Sequence, residues 1–192
     1  MKRCNIYLPM AALILTAALA VPATAQKQVK MRFSGSMVPT AINVQPNTIT
    51  DEELLAGKGT LGPFTLRKLR TDGLSPQPSD TCSGPTLINI PVVAGAGVFR
   101  FEDGSLLTAR ITEGALCIDV AAPSAHLTET YQITGGTERF KDASGNLTLT
   151  ATFGPVLFNA AHTALVFLTS TGELEGTVLG VAVGDEPQDE RQ

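Results

Sequence analysis

Two segments of the chain alternate between apolar and polar side chains, with Glu129 as the one exception. They run from residue 125 to 134 and from residue 146 to 153. Alternation with a period of two is typical of a β-strand with one buried face. In the first segment the apolar side chains share their face with one carboxylate, Glu129, and the opposite face carries His, Thr and Gln. Such strands suit an antiparallel sheet that packs on one side and meets water on the other.

The same pattern predicts strands along most of the chain. The ten strand-like runs are 28–38, 59–70, 86–93, 96–102, 105–112, 115–121, 125–134, 146–153, 163–170 and 173–183. Turn-forming pairs such as Asp103-Gly104, Glu113-Gly114 and Thr171-Gly172 separate many of them. Since no long helix is available to cover a second sheet face, we expect an all-β fold in which one antiparallel sheet of about eight strands closes into a barrel.

Only one helical element is predicted. Residues 50–53 fit a capping box and Gly57 is a stop signal, which indicates a short helical turn near 51–56. The barrel domain is expected to span 26–183. The polar, acidic segment 184–192 is expected to be a disordered tail.

The N-terminus has the layout of a secretory signal peptide. Lys2 and Arg3 precede an apolar run from about 10 to 21, and Ala23-Thr24-Ala25 supplies small residues for cleavage. The run is too short for an uncleaved membrane anchor, which needs roughly 20 residues. We therefore expect residues 1–25 to be removed and the protein to be exported to the periplasm or the extracellular space, with no membrane span after cleavage.

Charge narrows the choice of partners. The formal net charge is −4 and no block of Lys or Arg occurs. Nucleic acid and anionic membrane surfaces are therefore not expected as partners. The length is that of a single domain with its own core.

The cysteines and histidines also bear on the chemistry. Cys82 and Cys117 follow the predicted signal peptide, and in an oxidising compartment they are expected to form a disulfide. The alternative, a reactive thiol pair, would call for a CxxC spacing that they lack. His126 and His162 are isolated, so no metal site is predicted. Since no phosphate-binding motif follows the Gly-rich segments, no cofactor is predicted either.

The segment ITGGTERFKDASGNLTLT, residues 133–150, resembles the GGTGRF signature of allene oxide cyclase-like and dirigent-like β-barrels, including a branch of secreted bacterial proteins. Segments 95–107 and 171–180 look like the same group. The resemblance implies an eight-stranded antiparallel barrel with a central cavity. Glu138 stands where the signature has glycine, which implies a different local turn. No catalytic residue carries over from the plant enzymes of this group.

Glu129 and Tyr131 are the candidate cavity residues. A carboxylate on an apolar face beside a tyrosine has the surroundings that raise a pKa, as in an acid or base. Alternatively, Glu129 lies near the barrel mouth or pairs with Arg110 or Arg100. Two classes of function are compatible with a secreted barrel of this kind. The first is a secreted barrel that binds a small apolar ligand or a partner, or is structural; the second is a cyclase- or isomerase-like enzyme that folds a hydrophobic substrate in the cavity.

Overall fold

The fold is a closed antiparallel barrel of eight strands. The computed structural model describes residues 26–42, 44–80, 82, 84–122 and 124–182, so the predicted signal peptide and acidic tail lie outside the described residues. The strands are β1 (Lys27–Pro39), β2 (Thr48–Gly59), β3 (Phe64–Gly73), β4 (Leu87–Phe101), β5 (Leu106–Asp119), β6 (Ser124–Gly136), β7 (Ser144–Phe158) and β8 (Leu165–Leu179). Each strand pairs with the next, and β1 also pairs with β8. The predicted fold class is confirmed.

The inward faces follow the alternation of the sequence. Leu127, Tyr131 and Ile133 on β6 are buried, as are Leu147 and Leu149 on β7. The threonines between them point outward and are exposed or half-buried. Because β6 pairs with β7 in continuous register, these apolar faces form one side of the barrel core.

The helical turn near 51–56 was wrong. These residues lie within β2 and pair with β1 on one side and β3 on the other. Asp51, Glu53 and Leu55 all point inward with a period of two, so strand pairing and burial of that face prevail over the local capping signal.

Several predicted boundaries also moved. The strand β4 joins the runs 86–93 and 96–102, and β5 joins 105–112 and 115–121. Likewise β8 joins 163–170 and 173–183. In β5 the expected turn is a bulge between Ile111 and Glu113, so the chain bends there and continues along the same neighbour.

One end of the barrel is filled by aromatic side chains. Phe64, Phe101 and Phe140 are buried there, and the centroids of the Phe101 and Phe140 rings are 4.7 Å apart. Phe140 ends a 3-10 turn (Glu138–Phe140) in which Glu138 has a φ of 50°. The Arg139 guanidinium covers the Phe101 and Phe140 rings at 4.8 and 4.5 Å. The side chains of the described residues thus shield the barrel core from solvent at this end.

The segment between β3 and β4 is attached to the outside of the barrel at the opposite end. Cys82 forms a disulfide with Cys117 on β5, with Cα atoms 5.6 Å apart, as predicted. The backbone N–H of Gln77 also donates to the backbone carbonyl oxygen of Asn89, with the two atoms 3.0 Å apart. No helix in the described part of the chain has the length and apolar composition that a membrane crossing requires.

Candidate functional site

The inner faces of β2 and β3 carry charged side chains where a core residue would be expected. Asp51 and Glu53 point inward from β2, and Lys68, Arg70 and Asp72 point inward from β3. All five are buried. Buried charges are tolerated only when they are paired, so the arrangement of their partners determines what this region can do.

Arg70 is the centre of the group. Its Nη1 donates to Glu53 Oε1 at 2.9 Å, its Nη2 to Asp51 Oδ2 at 3.0 Å, and its Nε to Asp72 Oδ2 at 3.0 Å. The guanidinium also lies 5.4 Å from the centroid of the Phe153 ring. Every nitrogen of the guanidinium is therefore engaged by a carboxylate.

Lys68 links this group to Glu129 across the barrel interior. Its Nζ donates to Glu129 Oε2 at 2.6 Å and lies 3.1 Å from Glu53 Oε1. The Tyr131 hydroxyl donates to the same Glu129 oxygen at 2.6 Å. The prediction that Glu129 faces the interior is confirmed, but its partner is Lys68. Arg110 instead bonds Gln132 on the outer surface.

Two glycines make room for the Lys68–Glu129 pair. Gly97 lies opposite Lys68 in the ladder, and Gly114 lies opposite Glu129. A Cβ atom on Gly97 would lie 2.8 Å from Leu66 Cδ1 and 3.2 Å from the Lys68 Cβ, and one on Gly114 would lie 2.8 Å from the Val92 Cβ and 3.2 Å from the Glu129 Cγ. The missing side chains on β4 and β5 thus leave space that the buried pair shares with its apolar neighbours.

The pKa values reflect burial and an excess of carboxylates. Burial, opposed by Arg70, raises the pKa of Asp72 to about 6. Burial also raises the pKa of Asp51, and Glu53 adds to this effect, whereas Arg70 and a hydrogen bond with the Asp72 side chain oppose it. Burial and the neighbouring Glu129 raise the pKa of Tyr131 well above its usual value, so its hydroxyl stays protonated and donates.

Some carboxylate oxygens in this group have no hydrogen-bond partner among the described residues. They are Glu53 Oε2, Asp72 Oδ1 and Glu129 Oε1. A buried acceptor without a donor costs about 1–3 kcal/mol, and of these three residues only Asp72 lines the cavity described below.

A cavity of about 450 Å³ opens at the end opposite the phenylalanines. Its floor is polar and consists of Asp51, Arg70 and Asp72. Its walls are mostly apolar and include Met37, Ile90, Leu116, Phe153, Phe158 and Leu168, with Asp119 and Ser124 as polar members of the lining. Apolar walls around a few convergent polar groups are typical of small-molecule sites.

The two residues that the sequence singled out do not line this cavity. Glu129 and Tyr131 lie one layer deeper, in contact with Lys68, and a catalytic role for either stays a prediction. The cavity floor was missed. Its signal was present as charges at every second position of β3, at Lys68, Arg70 and Asp72, but such a pattern ordinarily indicates a solvated strand face.

The barrel is similar to a solved structure of a dirigent protein. The pterocarpan synthase dirigent protein GePTS1 resembles this chain with a TM-score of 0.38 and 13% sequence identity, over 92% of this chain and 100% of that one. No protein-family model and no curated protein matches the chain. The eight-stranded barrel that the sequence resemblance implied is present. Membership of the allene oxide cyclase-like and dirigent-like group, or of its secreted bacterial branch, stays a prediction.

Proposed function

We propose that the protein binds a small, largely apolar ligand in the cavity at the open end of the barrel. The observation that carries the proposal is the contrast between the apolar walls and the charged floor of Asp51, Arg70 and Asp72. A volume of about 450 Å³ falls in the range of pockets that enclose drug-sized molecules. The walls supply affinity and the floor orients the polar group of the ligand.

Binding is favoured over the cyclase- or isomerase-like alternative by the position of the candidate acid and base. That alternative depends on Glu129 and Tyr131, which are held in the deeper layer by Lys68. The polar floor that a ligand in the cavity would contact consists of Asp51, Arg70 and Asp72 and includes neither Glu129 nor Tyr131.

We also propose that the protein works after export. The disulfide between Cys82 and Cys117 supports this location, because such bonds persist in oxidising compartments. A barrel that holds an apolar molecule outside the cytoplasm would act as a carrier or scavenger of that molecule.

Filling the cavity tests the proposal. Ala125 lies on the inward face of β6 and lines the cavity, so the substitution Ala125→Trp would place an indole in the ligand space. We expect this change to weaken the binding of naphthylmethanol by roughly tenfold or more, measured by titration calorimetry, because the ring competes with the ligand for the same volume.

The matched control is Thr128→Trp, which adds the same side chain to the exposed face of the same strand. Circular dichroism should show that both variants keep the barrel. Equal affinity for naphthylmethanol in the two folded variants would contradict the proposal.

A further inference from the structure

On the floor of the cavity, one carboxylate oxygen has no hydrogen-bond donor among the described residues. Asp72 is 2% exposed and lines the cavity. Its Oδ2 accepts from Arg70, whereas its Oδ1 has no donor among the described residues. A carboxylate oxygen accepts hydrogen bonds and donates none while ionised, so the complementary ligand group is a donor.

The charge around Asp72 selects among donors. The connected network of described residues contains four carboxylates, Asp51, Glu53, Asp72 and Glu129, and two cations, Lys68 and Arg70. When all are ionised, the group is anionic by two charges. A hydroxyl would satisfy the free oxygen and leave this excess, whereas an ammonium group would satisfy the oxygen and reduce the excess as well.

Arg70 does not offer a site for an anionic ligand. Its three nitrogens already point at Asp51, Glu53 and Asp72. A ligand carboxylate would therefore meet the surplus negative charge without a free donor to compensate it.

A metal ion also fits poorly. The Arg70 Nη2 lies 3.0 Å from an oxygen of Asp51 and 3.0 Å from an oxygen of Asp72, so the guanidinium occupies the space between them. Within the described residues, no group of three or more His, Cys, Asp or Glu side chains is arranged to hold a metal ion.

We propose that the ligand of this barrel is a cationic amphiphile, an apolar or aromatic body that carries a protonated amine, and that Asp72 Oδ1 accepts the hydrogen bond of its ammonium group. The inference rests on the proposed binding function and names the chemical class of its ligand. The apolar body lies against walls such as Leu116, Phe158 and Leu168. The ammonium group reaches the floor.

Ammonium binding at this place depends on pH through Asp72. The charged groups around its carboxyl are Arg70 on the same strand, Asp51 and Glu53 on β2, and Glu129 on β6. Asp119, at the end of β5, lines the same cavity. Because burial raises the pKa of Asp72 to about 6, protonation at lower pH removes the charge that attracts the ligand. The affinity for an amine that stays protonated should fall by roughly tenfold between about pH 7 and pH 5.

The test uses three probes with one aromatic body: naphthylmethylammonium, naphthylmethanol and naphthoate. Titration calorimetry at about pH 7 should show the ammonium compound binding roughly tenfold or more tightly than the alcohol, with naphthoate weakest. The variant Asp72→Asn keeps the shape and removes the charge, so the ratio of ammonium to alcohol affinity should fall to near one. The control Glu52→Gln removes one negative charge from the outer face of β2, where Glu52 pairs with Arg67, and should keep the preference.

The possible outcomes separate the two proposals. If the alcohol binds as tightly as the ammonium compound, or naphthoate binds most tightly, the ligand class is wrong and the binding function stands. If none of the three probes binds, the binding function is wrong as well. Should Asp72→Asn not fold, the preference of the unaltered protein and its pH profile still decide, because a pH-independent ammonium affinity would overturn the role of Asp72.

Discussion

At the scale of single residues, the interior of this barrel contains a network of ion pairs in which the carboxylates outnumber the cations. Lys68 contacts both Glu53 and Glu129, and Arg70 contacts three carboxylates. Removing a cation from such a group leaves several buried carboxylates uncompensated, whereas removing one carboxylate reduces an existing excess. The two kinds of substitution should therefore differ in their effect on stability.

The variant Lys68→Met tests the effect of removing a buried cation. We expect it to lower the free energy of unfolding by about 4 kcal/mol, because Glu53 and Glu129 lose a buried partner. Urea denaturation at about pH 7 measures the change. The matched control is Arg67→Met on the outer face of the same strand, where the Arg67–Glu52 pair is exposed and should contribute less than about 1 kcal/mol. Equal losses in the two variants would contradict the importance of the buried pair.

Asp72 should make the stability of the fold depend on pH. Its pKa rises from 3.8 to about 6 on folding, so the folded state holds this proton more tightly than the unfolded state does. The stabilising contribution is complete below about pH 4 and is lost as the pH rises through about 6. The shift corresponds to about 3 kcal/mol.

The variant Asp72→Asn has no such proton to lose. Relative to the unaltered protein, it should gain stability as the pH is raised from about 4 to 7, by an amount of that order. Urea denaturation across this range measures the difference between the two. A difference that does not change with pH would show that Asp72 titrates normally in the folded state.

At the scale of elements, alternation predicted the faces of β6 and β7 but not the presence of β2. In β6 and β7, apolar side chains at every second position predict a buried face directly. In β2 the inward positions are Asp51, Glu53 and Leu55, and the partners that make burial of the carboxylates tolerable lie on β3. Since a pattern within one segment does not contain its partners, the cavity floor could not be predicted from β2 or β3 alone.

The disulfide is the element-scale feature that can be tested most directly. It joins residues separated by 35 positions, which corresponds to about 4 kcal/mol in the chain-entropy model. We expect the double variant Cys82→Ser, Cys117→Ser to lose about this much stability in urea denaturation. Limited proteolysis should then cut between β3 and β4 faster than in the oxidised protein. Unchanged stability together with an unchanged cleavage rate would mean that other contacts hold this segment.

At the scale of the whole molecule, closure of the sheet was predictable and the difference between its two ends was not. A chain with many strands and no helix to cover them removes its edges by pairing the first strand with the last, as β1 and β8 do. Which end closes depends on Phe64, Phe101 and Phe140, which come from distant parts of the sequence and meet only in the folded barrel.

The phenylalanines that fill one end of the barrel block the cavity on that side. This determines how one bound ligand is exchanged for another. In the part of the chain that the structure describes, a ligand enters and leaves this cavity through the opening above Asp51 and Asp72. A competing ligand therefore cannot enter from the other side and displace the bound ligand. It binds only after the bound ligand has dissociated. At saturating concentrations of a competitor, the rate of replacement should equal the spontaneous dissociation rate of the first occupant. The residence time of the bound ligand is thus set by its own contacts and by the residues at the rim of the opening. A higher concentration of competing ligand does not shorten it.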